Sequence, residues 1–435
     1  MGFILAATGS AVGLGNIWKF PYMVGESGGA AFVLVYLLCI GLVGAPILIA
    51  EWMLGRRGHK NPVNTMAQLA RDHQRHPAWV LVGASGVLAA FLILSFYSVI
   101  GGWTLAYLAD TVTGQLTRLT PDTVGQRFGE LLADPLALVI WHTVFMLLTI
   151  GIVARGVTQG LERGSKILMP ALFAIVLALV AYAATTPGFG QGVRYLFQPD
   201  WSQFNDEVLL AALGHAFFTL SLGMGIMMSY GSYLGEDISL LQAARTVILL
   251  DTTIALCAGL AIFPIVFSHG LDAEAGPSLV FVTLPLVFSQ IDGGQIVGGL
   301  FFLLLAFAAL TSAMSLLEPV VETLEERSPL SRTAATVVAG VAIWALGLAA
   351  LLSFNRWSDV TLGGLNLFDG LDYLTSKFML PLAGLGAIVF AAWKLPQDMV
   401  RRELGLSPRA FWFWQGLARV VAPLGVLYVF VTQLL

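Results

Sequence analysis

Charged side chains are scarce in this sequence, where they make up 11% of 435 residues, against about a quarter in ordinary soluble domains. A chain with so few charges and 57% hydrophobic residues cannot cover a water-facing surface with polar groups. Its 22 basic residues are dispersed among 26 acidic ones, which argues against a nucleic-acid-binding surface. Composition therefore excludes an ordinary soluble domain and predicts a protein that lies in the lipid bilayer.

Reactive cysteines and hydrolase motifs are lacking as well. The two cysteines, Cys39 and Cys257, both lie in apolar segments, where a small buried thiol is the expected state. The six histidines have no metal-ligand spacing, and neither H-E-x-x-H nor G-x-S-x-G occurs. Because no catalytic core is visible, we predict that the protein is not an enzyme.

Long apolar runs are what the sequence has in abundance. About 20 helical residues cross a hydrocarbon core of roughly 30 Å, and the apolar runs are separated by polar or Gly/Pro-rich breaks. We predict an all-α integral membrane protein with eleven transmembrane helices. They lie near residues 1–23, 30–54, 77–109, 136–154, 166–185, 206–232, 243–269, 294–324, 332–354, 372–394 and 411–434.

Basic residues are distributed unevenly between the predicted loops. With a cytoplasmic N-terminus, the outside loops hold only Arg118, Arg127, Arg194 and Arg356, and the inside loops hold most of the other Lys and Arg residues. The positive-inside rule therefore predicts a multi-pass protein of the inner (plasma) membrane in that orientation. The segment 270–293 contains no Lys or Arg, and its apolar stretch 278–289 is too short to span, so we predict an external re-entrant lid there.

Ten of the predicted helices divide into two sets of five, in residues 1–185 and 206–394, with 411–435 as an additional helix. An odd number of helices in each set makes the two repeats inverted. The first helix of each set, the first and sixth of the chain, has a glycine-rich polar interruption at 9–16 and 219–225. Glycine lowers helix propensity by about 1 kcal/mol relative to alanine, so both helices are predicted to be discontinuous.

Paired breaks in two repeats indicate a binding site for an ion and a substrate near the midplane. Close helix packing around small residues is the alternative interpretation, but it leaves Ser10, Asn16, Thr219 and Ser221 without a role. Half-helix N-termini favour a carboxylate, whereas free carbonyls favour cations. A zwitterion together with sodium would suit both.

The residues at the breaks resemble those of the neurotransmitter:sodium symporter family, and the resemblance covers nearly the whole chain. It rests on Gly9 to Pro21 with Asn16-Ile17-Trp18-Lys19-Phe20, on Phe217-Phe218-Thr219-Leu220-Ser221-Leu222-Gly223, on Glu51-Trp52, on Leu310-Thr311-Ser312 and on Leu371-Asp372-Tyr373-Leu374. It implies a leucine-transporter-like fold and a sodium-coupled secondary symporter that imports an amino acid by alternating access. The implied partners are a small amino acid and the lipid bilayer, with the chain a monomer or weak homo-oligomer.

The resemblance implies a substrate site between the two breaks. The substrate carboxylate would meet the amides of Leu14 and Gly15 and the Tyr97 hydroxyl, and its ammonium group would meet carbonyls of Ala11, Phe218 and Thr219 and the Ser221 hydroxyl. The side-chain pocket would be lined by Ser10, Ile93, Tyr97, Phe218, Met224, Ser315 and Leu316. Members that carry amines have an aspartate where this chain has Gly13, so the substrate should bring its own carboxylate. The apolar lining suggests a hydrophobic or aromatic L-amino acid.

Two sodium sites are implied by the same resemblance, and both consist of oxygen ligands, which suit a hard cation. The first would use Ala11, Asn16, Thr219 and Asp251, and the second Gly9, Val12, Ala308, Thr311 and Ser312. Chloride-dependent relatives have an asparagine at the position of Asp251, with glutamine and serine at those of His215 and Ala255. We therefore expect Asp251 to supply the negative charge that chloride otherwise brings, and transport to be independent of chloride.

Gates are implied on both sides of the substrate. Lys19 and Asp372 would form an outer ion pair above Tyr97 and Phe218, and Tyr233 and Glu326 would contribute to an inner gate. The family has a cytoplasmic tail that locks that inner gate, whereas only eight residues precede Gly9 in this sequence. Either the true start lies upstream of Met1 or the inner gate is weakened. An amino-acid-binding membrane sensor or an inactive homologue is therefore the alternative to a symporter.

Overall fold

Helices dominate the computed structural model, which describes residues 2–116, 119–271, 273 and 279–434. In these residues the only β-type pairing is an isolated bridge between Leu362 and Leu365. Arg118 of a predicted outside loop lies outside the described residues, as do Asp272 and Glu274 of the predicted lid. The predicted all-α class agrees with this architecture.

Nine helices in the described residues are long and apolar enough to span a bilayer. All helices are numbered in chain order, and the shorter ones are introduced below. The nine long helices are α3 Ala30–Gly58, α5 Pro77–Val112, α7 Pro135–Val153, α8 Val157–Ala183, α12 Leu240–Ser268, α14 Gly294–Arg327, α15 Arg332–Leu352, α16 Leu367–Lys394 and α18 Pro408–Thr432. Shorter helices connect them: α4 Pro62–Asp72, α6 Pro121–Ala133, α9 Phe189–Phe197, α13 Leu279–Gln290 and α17 Gln397–Leu404.

The first and sixth predicted helices are each divided in two. α1 covers Gly2–Ala11 and α2 covers Phe20–Glu26, with a π-helical turn between them at Gly15–Lys19. α10 covers Asp206–Thr219 and α11 covers Ile226–Ser232. Because the halves are too short to count as spans, a total of eleven transmembrane helices and their division into inverted repeats stay predictions.

The predicted lid region contains α13, whose 12 residues extend about 18 Å and are too short to cross a bilayer. Phe281 of α13 contacts the rings of Trp103 and Tyr107 on α5 at centroid distances of 5.8 and 5.3 Å. It also stacks on Phe128 of α6 at 5.5 Å. These ring contacts anchor the short helix against α5 and α6.

α14 lies at the centre of the molecule and packs most extensively against α5, with further contacts to α8, α15 and α1. Most of its side chains between Phe301 and Glu322 are buried. α3 packs closely on α11, and glycines make that approach possible. A Cβ atom at Gly55 would collide with the backbone carbonyl of Met228, and one at Gly231 would lie 2.5 Å from the Trp52 carbonyl oxygen. Helices α3 and α11 therefore behave as one packed unit.

Replacing Gly55 with alanine should destabilise the protein, because the new methyl group would force α3 and α11 apart. Overpacking of this kind costs about 1–3 kcal/mol. Gly151→Ala on α7 is the control, since nothing lies within 4 Å of the position that its new Cβ atom would take. Thermal unfolding in detergent or nanodiscs measures the difference. Equal melting temperatures for the two variants would show that the α3–α11 contact is looser than described.

Candidate functional site

The first break exposes the backbone between α1 and the turn that follows it. α1 ends at Ala11, and the Gly13 amide donates to Oδ1 of Asn16 at 3.0 Å. The carbonyl of Val12 accepts from the Thr311 hydroxyl at 3.4 Å. Peptide groups that would be used inside a continuous helix thus turn towards side chains of this segment and of α14.

The second break, residues 220–225, is held by left-handed backbone conformations and by one buried carboxylate. Ser221, Gly223 and Gly225 have φ angles of 53°, 73° and 71°, a region that glycine adopts easily and serine rarely. The Gly223 amide donates to Oε1 of Glu51 at 2.8 Å. A Cβ at Gly223 would also collide with the Leu380 carbonyl. Glu51 was not predicted as a site residue, although a glutamate inside the apolar run of α3 is a signal of function.

Three serines join the two breaks to each other and to α14. The Ser221 hydroxyl donates to the Ser10 carbonyl at 3.1 Å, and the Ser312 hydroxyl donates to the same carbonyl at 3.3 Å. The Ser10 hydroxyl donates to Oγ of Ser221 at 3.2 Å. The unusual backbone conformation of Ser221 is therefore stabilised by the bonds of its own side chain.

A small cavity lies between the breaks. It is lined by Ser10, Ala11, Gly13, Gly15, Ile93, Tyr97, Phe218, Thr219, Ser221, Met224, Ile226, Ser312 and Leu316. Ser315 differs from its predicted role, because its hydroxyl bonds to Tyr230 at 2.7 Å and to the Thr311 carbonyl at 3.0 Å and does not line the cavity. Ile226 was missed, although it is the first residue of α11 after the break.

Donors suited to a carboxylate lie at one end of this cavity. The Leu14 amide donates to the Tyr97 hydroxyl at 3.3 Å, so both groups converge on one point, and Gly15 lines the cavity beside them. At Gly13 any side chain would collide with the Ser312 hydroxyl, and a Cβ would lie 3.3 Å from the Tyr97 hydroxyl. Space for an incoming carboxylate therefore depends on glycine at position 13.

The side chains predicted for the first sodium site lie together. Asp251 is fully buried, and its Oδ1 accepts from Nδ2 of Asn16 at 2.7 Å and from the Thr219 hydroxyl at 3.0 Å. Nδ2 of Asn16 also lies 3.3 Å from Oγ1 of Thr219. Rotating the Asn16 amide by a half-turn would place its oxygen beside this carboxylate, the orientation a cation needs. Ala11 lines the adjoining cavity.

The second predicted site is gathered around the Thr311 hydroxyl. Its Oγ1 lies 3.0 Å from the Ala308 carbonyl and 3.4 Å from the Val12 carbonyl. Gly9 faces α8, and a Cβ atom added to Gly9 would lie 3.4 Å from both Ser165 and Met169. In the described residues no group of three or more His, Cys, Asp or Glu side chains is placed to hold a metal ion. Most of the groups at the second predicted site are carbonyl and hydroxyl oxygens. Hard cations such as sodium prefer oxygen ligands of this kind.

The predicted outer gate residues lie close to each other without pairing. Nζ of Lys19 lies 4.4 Å from the centroid of the Phe218 ring, and Oδ1 of Asp372 accepts from the Ser376 hydroxyl at 2.8 Å. Lys19 and Asp372 both line a second cavity with about 1040 Å³ of empty space. A cation above an aromatic face is attracted by the ring, so Lys19 is held over Phe218.

The predicted inner gate residues have separate partners. The Tyr233 hydroxyl donates to Oε1 of Glu318 at 2.8 Å, and Glu318 also pairs with Arg332 at 2.5 and 2.9 Å. Glu326 instead accepts from the backbone amide of Asn61 at 2.8 Å and from its side-chain amide at 2.6 Å. Both links lie at one end of α14. Glu318, Arg332 and Asn61 were not predicted. Tyr233 is 85 residues from Glu318 in the chain, and Asn61 is 265 residues from Glu326.

Known proteins resemble this chain over its whole length. The sodium:neurotransmitter symporter family matches residues 1–123 and 132–435. A Bacillus subtilis (strain 168) protein described as the uncharacterized sodium-dependent transporter YhdH is 39% identical over 434 residues, 99% of this chain and 95% of that protein. An uncharacterized sodium-dependent transporter of Haemophilus influenzae is 33% identical over 441 residues, 99% of this chain and 96% of that protein.

Among solved structures, that of MhsT in complex with L-phenylalanine superposes with a TM-score of 0.92 at 46% sequence identity. It covers 99% of this chain and 97% of that chain. The predicted resemblance and the leucine-transporter-like fold are confirmed by these similarities. The individual site residues are not tested by them and stay predictions.

Thr311→Val and Asn16→Ala should each lower the apparent sodium affinity about tenfold or more, because a hydrogen bond or contact to a charged group contributes about 1.5–3 kcal/mol. Sodium-dependent binding of a labelled amino acid to the purified protein measures this. Thr149→Val is the matched control, since the Thr149 hydroxyl is buried on α7 and bonds only to the Phe145 carbonyl of its own helix at 3.0 Å. Unchanged sodium dependence in both site variants would contradict the assignment.

Proposed function

Because the chain belongs to the sodium:neurotransmitter symporter family, we propose that it imports a hydrophobic or aromatic L-amino acid together with sodium by alternating access. Members of that family are multi-pass membrane transporters and not enzymes. The observation that carries the proposal is the adjacency of two kinds of group at the breaks. Donors for a carboxylate at Leu14 and Tyr97 lie next to the buried Asn16–Asp251 pair.

The substrate class follows from the shape and polarity of the cavity. Glycine at position 13 leaves no protein carboxylate there, so the ligand itself supplies the negative charge that meets the Leu14 amide and the Tyr97 hydroxyl. Ile93, Met224, Ile226 and Leu316 make the remaining wall apolar, and methionine adapts to ligands of different shape. The complex of MhsT with L-phenylalanine, at 46% identity, supports an aromatic amino acid.

Coupling to sodium makes such uptake concentrative. Each charge that crosses the membrane gains about 2.3 kcal/mol per 100 mV of potential, so two sodium ions with a zwitterion would gain roughly 4.6 kcal/mol per cycle. A cation held by Asn16 and Thr219 also lies where the substrate carboxylate would complete its oxygen shell. Opposite charges in one buried site stabilise each other, and this is the physical basis of the coupling.

Charge at the first sodium site supports independence from chloride. The Asp251 carboxylate is fully buried, and the Tyr36 phenol lies beside it. The ring of His215 packs on Tyr36 at 5.1 Å, and neither of its nitrogens has a hydrogen-bond partner among the described residues. A fixed carboxylate at this position supplies the negative charge next to the cation without an added anion.

Purified protein in proteoliposomes tests the symport. Labelled L-phenylalanine should accumulate only under an inward sodium gradient, and a potassium gradient of the same size is the control. Competition by the twenty unlabelled amino acids then identifies the preferred side chain, with apolar and aromatic ones expected to compete best. Sodium-dependent binding without accumulation would favour an amino-acid-binding sensor instead.

Replacing chloride with gluconate on both sides of the vesicles should leave the rate of sodium-driven uptake within about twofold, because Asp251 already carries the required negative charge. Asp251→Asn should make uptake dependent on chloride, since it removes that charge and keeps the side-chain shape. A large loss of wild-type uptake in gluconate would disprove the role given to Asp251.

A further inference from the structure

Glu322 is a buried carboxylate that the predicted sodium and substrate sites do not use. It lies on α14 with 6% of its surface exposed. Its Oε1 accepts from the Ser232 hydroxyl at 3.3 Å, whereas Oε2 has no hydrogen-bond partner among the described residues. An unpaired carboxylate in a low-dielectric interior is costly and indicates a functional group.

The charged groups around Glu322 do not neutralise it. The charged side chains that act on it are the carboxylates of Glu318 and Glu326. Arg332 lines the same cavity, but its guanidinium is engaged by both oxygens of Glu318 and lies 3.5 Å from Glu325. The local field is therefore negative, and it favours a mobile cation.

Hydroxyl groups of α11 complete an oxygen-rich position beside this carboxylate. Ser229 is fully buried, and its hydroxyl lies close enough to Glu322 to act on that carboxylate, although it makes no hydrogen bond of normal geometry in the described residues. The Ser232 hydroxyl lies between the Ser229 carbonyl, at 2.7 Å, and Glu322. Oγ of Ser229 and Oε2 of Glu322 thus belong to interacting side chains and both have oxygen lone pairs free of normal hydrogen bonds. Hard oxygen ligands of this kind suit an alkali cation.

Glu322 lies on the same face of α14 as the second predicted sodium site. Thr311, Ser315 and Glu322 are spaced by four and seven residues, which places them in one row along a helix, about 16 Å from end to end. The middle of this row is polar as well, because the Ser315 hydroxyl bonds to Tyr230 at 2.7 Å. At its far end the row reaches a cavity with about 800 Å³ of empty space, lined by His59, Glu322 and Arg332 among others.

We propose that Glu322, with the hydroxyls of Ser229 and Ser232, forms a further binding site for a monovalent alkali cation. Sodium released from Thr311 would occupy it before leaving through the cavity at His59 and Arg332. The role in transit rests on the proposed symport, because only a transporter releases sodium on this side. The site itself depends only on the buried carboxylate and the hydroxyls next to it.

Thallium, a heavy monovalent cation, tests the site directly in crystals of the full chain soaked in a thallium salt. Anomalous density is expected beside Glu322 in the wild type and in Glu325→Gln, a control on the same helix whose side chain is 39% exposed. Glu322→Gln should abolish that density, and Ser229→Ala should weaken it while leaving Glu322 intact. The site is disproved if wild-type crystals show no density beside Glu322 or if Glu322→Gln retains it.

Transport kinetics separate the role in transit from the symport itself. In proteoliposomes Glu322→Gln should slow sodium-driven amino acid uptake about tenfold or more, since a contact to a charged group is lost. Sodium-dependent substrate binding in detergent should stay unchanged in the same variant, as in Glu325→Gln. Wild-type uptake rates in Glu322→Gln would overturn the role in transit. If the symport proposal is wrong, wild-type vesicles fail to accumulate substrate, whatever the thallium density shows.

Discussion

Peptide groups released by a broken helix must find new partners when they are buried, and the centre of this molecule is organised around that requirement. A buried peptide N–H or carbonyl left without a hydrogen bond costs about 1–3 kcal/mol. Asn16 provides the partner for the Gly13 amide, and Glu51 provides the partner for the Gly223 amide. The polar side chains at the breaks are therefore needed to form the breaks at all, before any ligand arrives.

The same bonds connect the backbone at the proposed substrate cavity to the side chains of the first predicted sodium site. Asn16 accepts from Gly13, which lines the cavity, and donates to Asp251, which belongs to the first predicted sodium site. A cation that turns the Asn16 amide would also change the bond to Gly13. Coupling between two binding sites is reciprocal. If a bound cation changes the affinity for substrate through Gly13, a substrate that displaces the Gly13 peptide would change the affinity for the cation by the same factor.

Local composition made the breaks predictable, whereas long-range partners were not. Glycines among polar residues inside an apolar run, three at 9–16 and two at 219–225, are unfavourable in a continuous helix, so the interruptions in the first and sixth predicted helices follow from the sequence alone. The direction in which a helix face turns is a different matter. Ser312 and Leu316 of α14 face the cavity, but Ser315 turns to Tyr230 on α11. Residue spacing predicted that these polar side chains lie in a row along α14, but it could not show which side of the row faces the cavity.

The partners of the gate residues Tyr233 and Glu326 could not be predicted for a related reason. Tertiary packing brings Glu318 and Asn61 to them, and such packing leaves no local signal in the sequence.

These contacts indicate where the end that holds the predicted inner gate would separate during the proposed alternating access. Glu318 and Arg332 belong to the consecutive helices α14 and α15, and breaking their buried ion pair would cost about 3–5 kcal/mol. α11 is joined to α14 there by hydroxyl bonds of Tyr230, Ser232 and the following residue Tyr233. Such bonds exchange with water at a lower cost. The glycine contacts hold α3 and α11 together, so we expect these two helices to move as a unit away from α14 and α15. This movement would expose Glu322, which lies between the two pairs of helices.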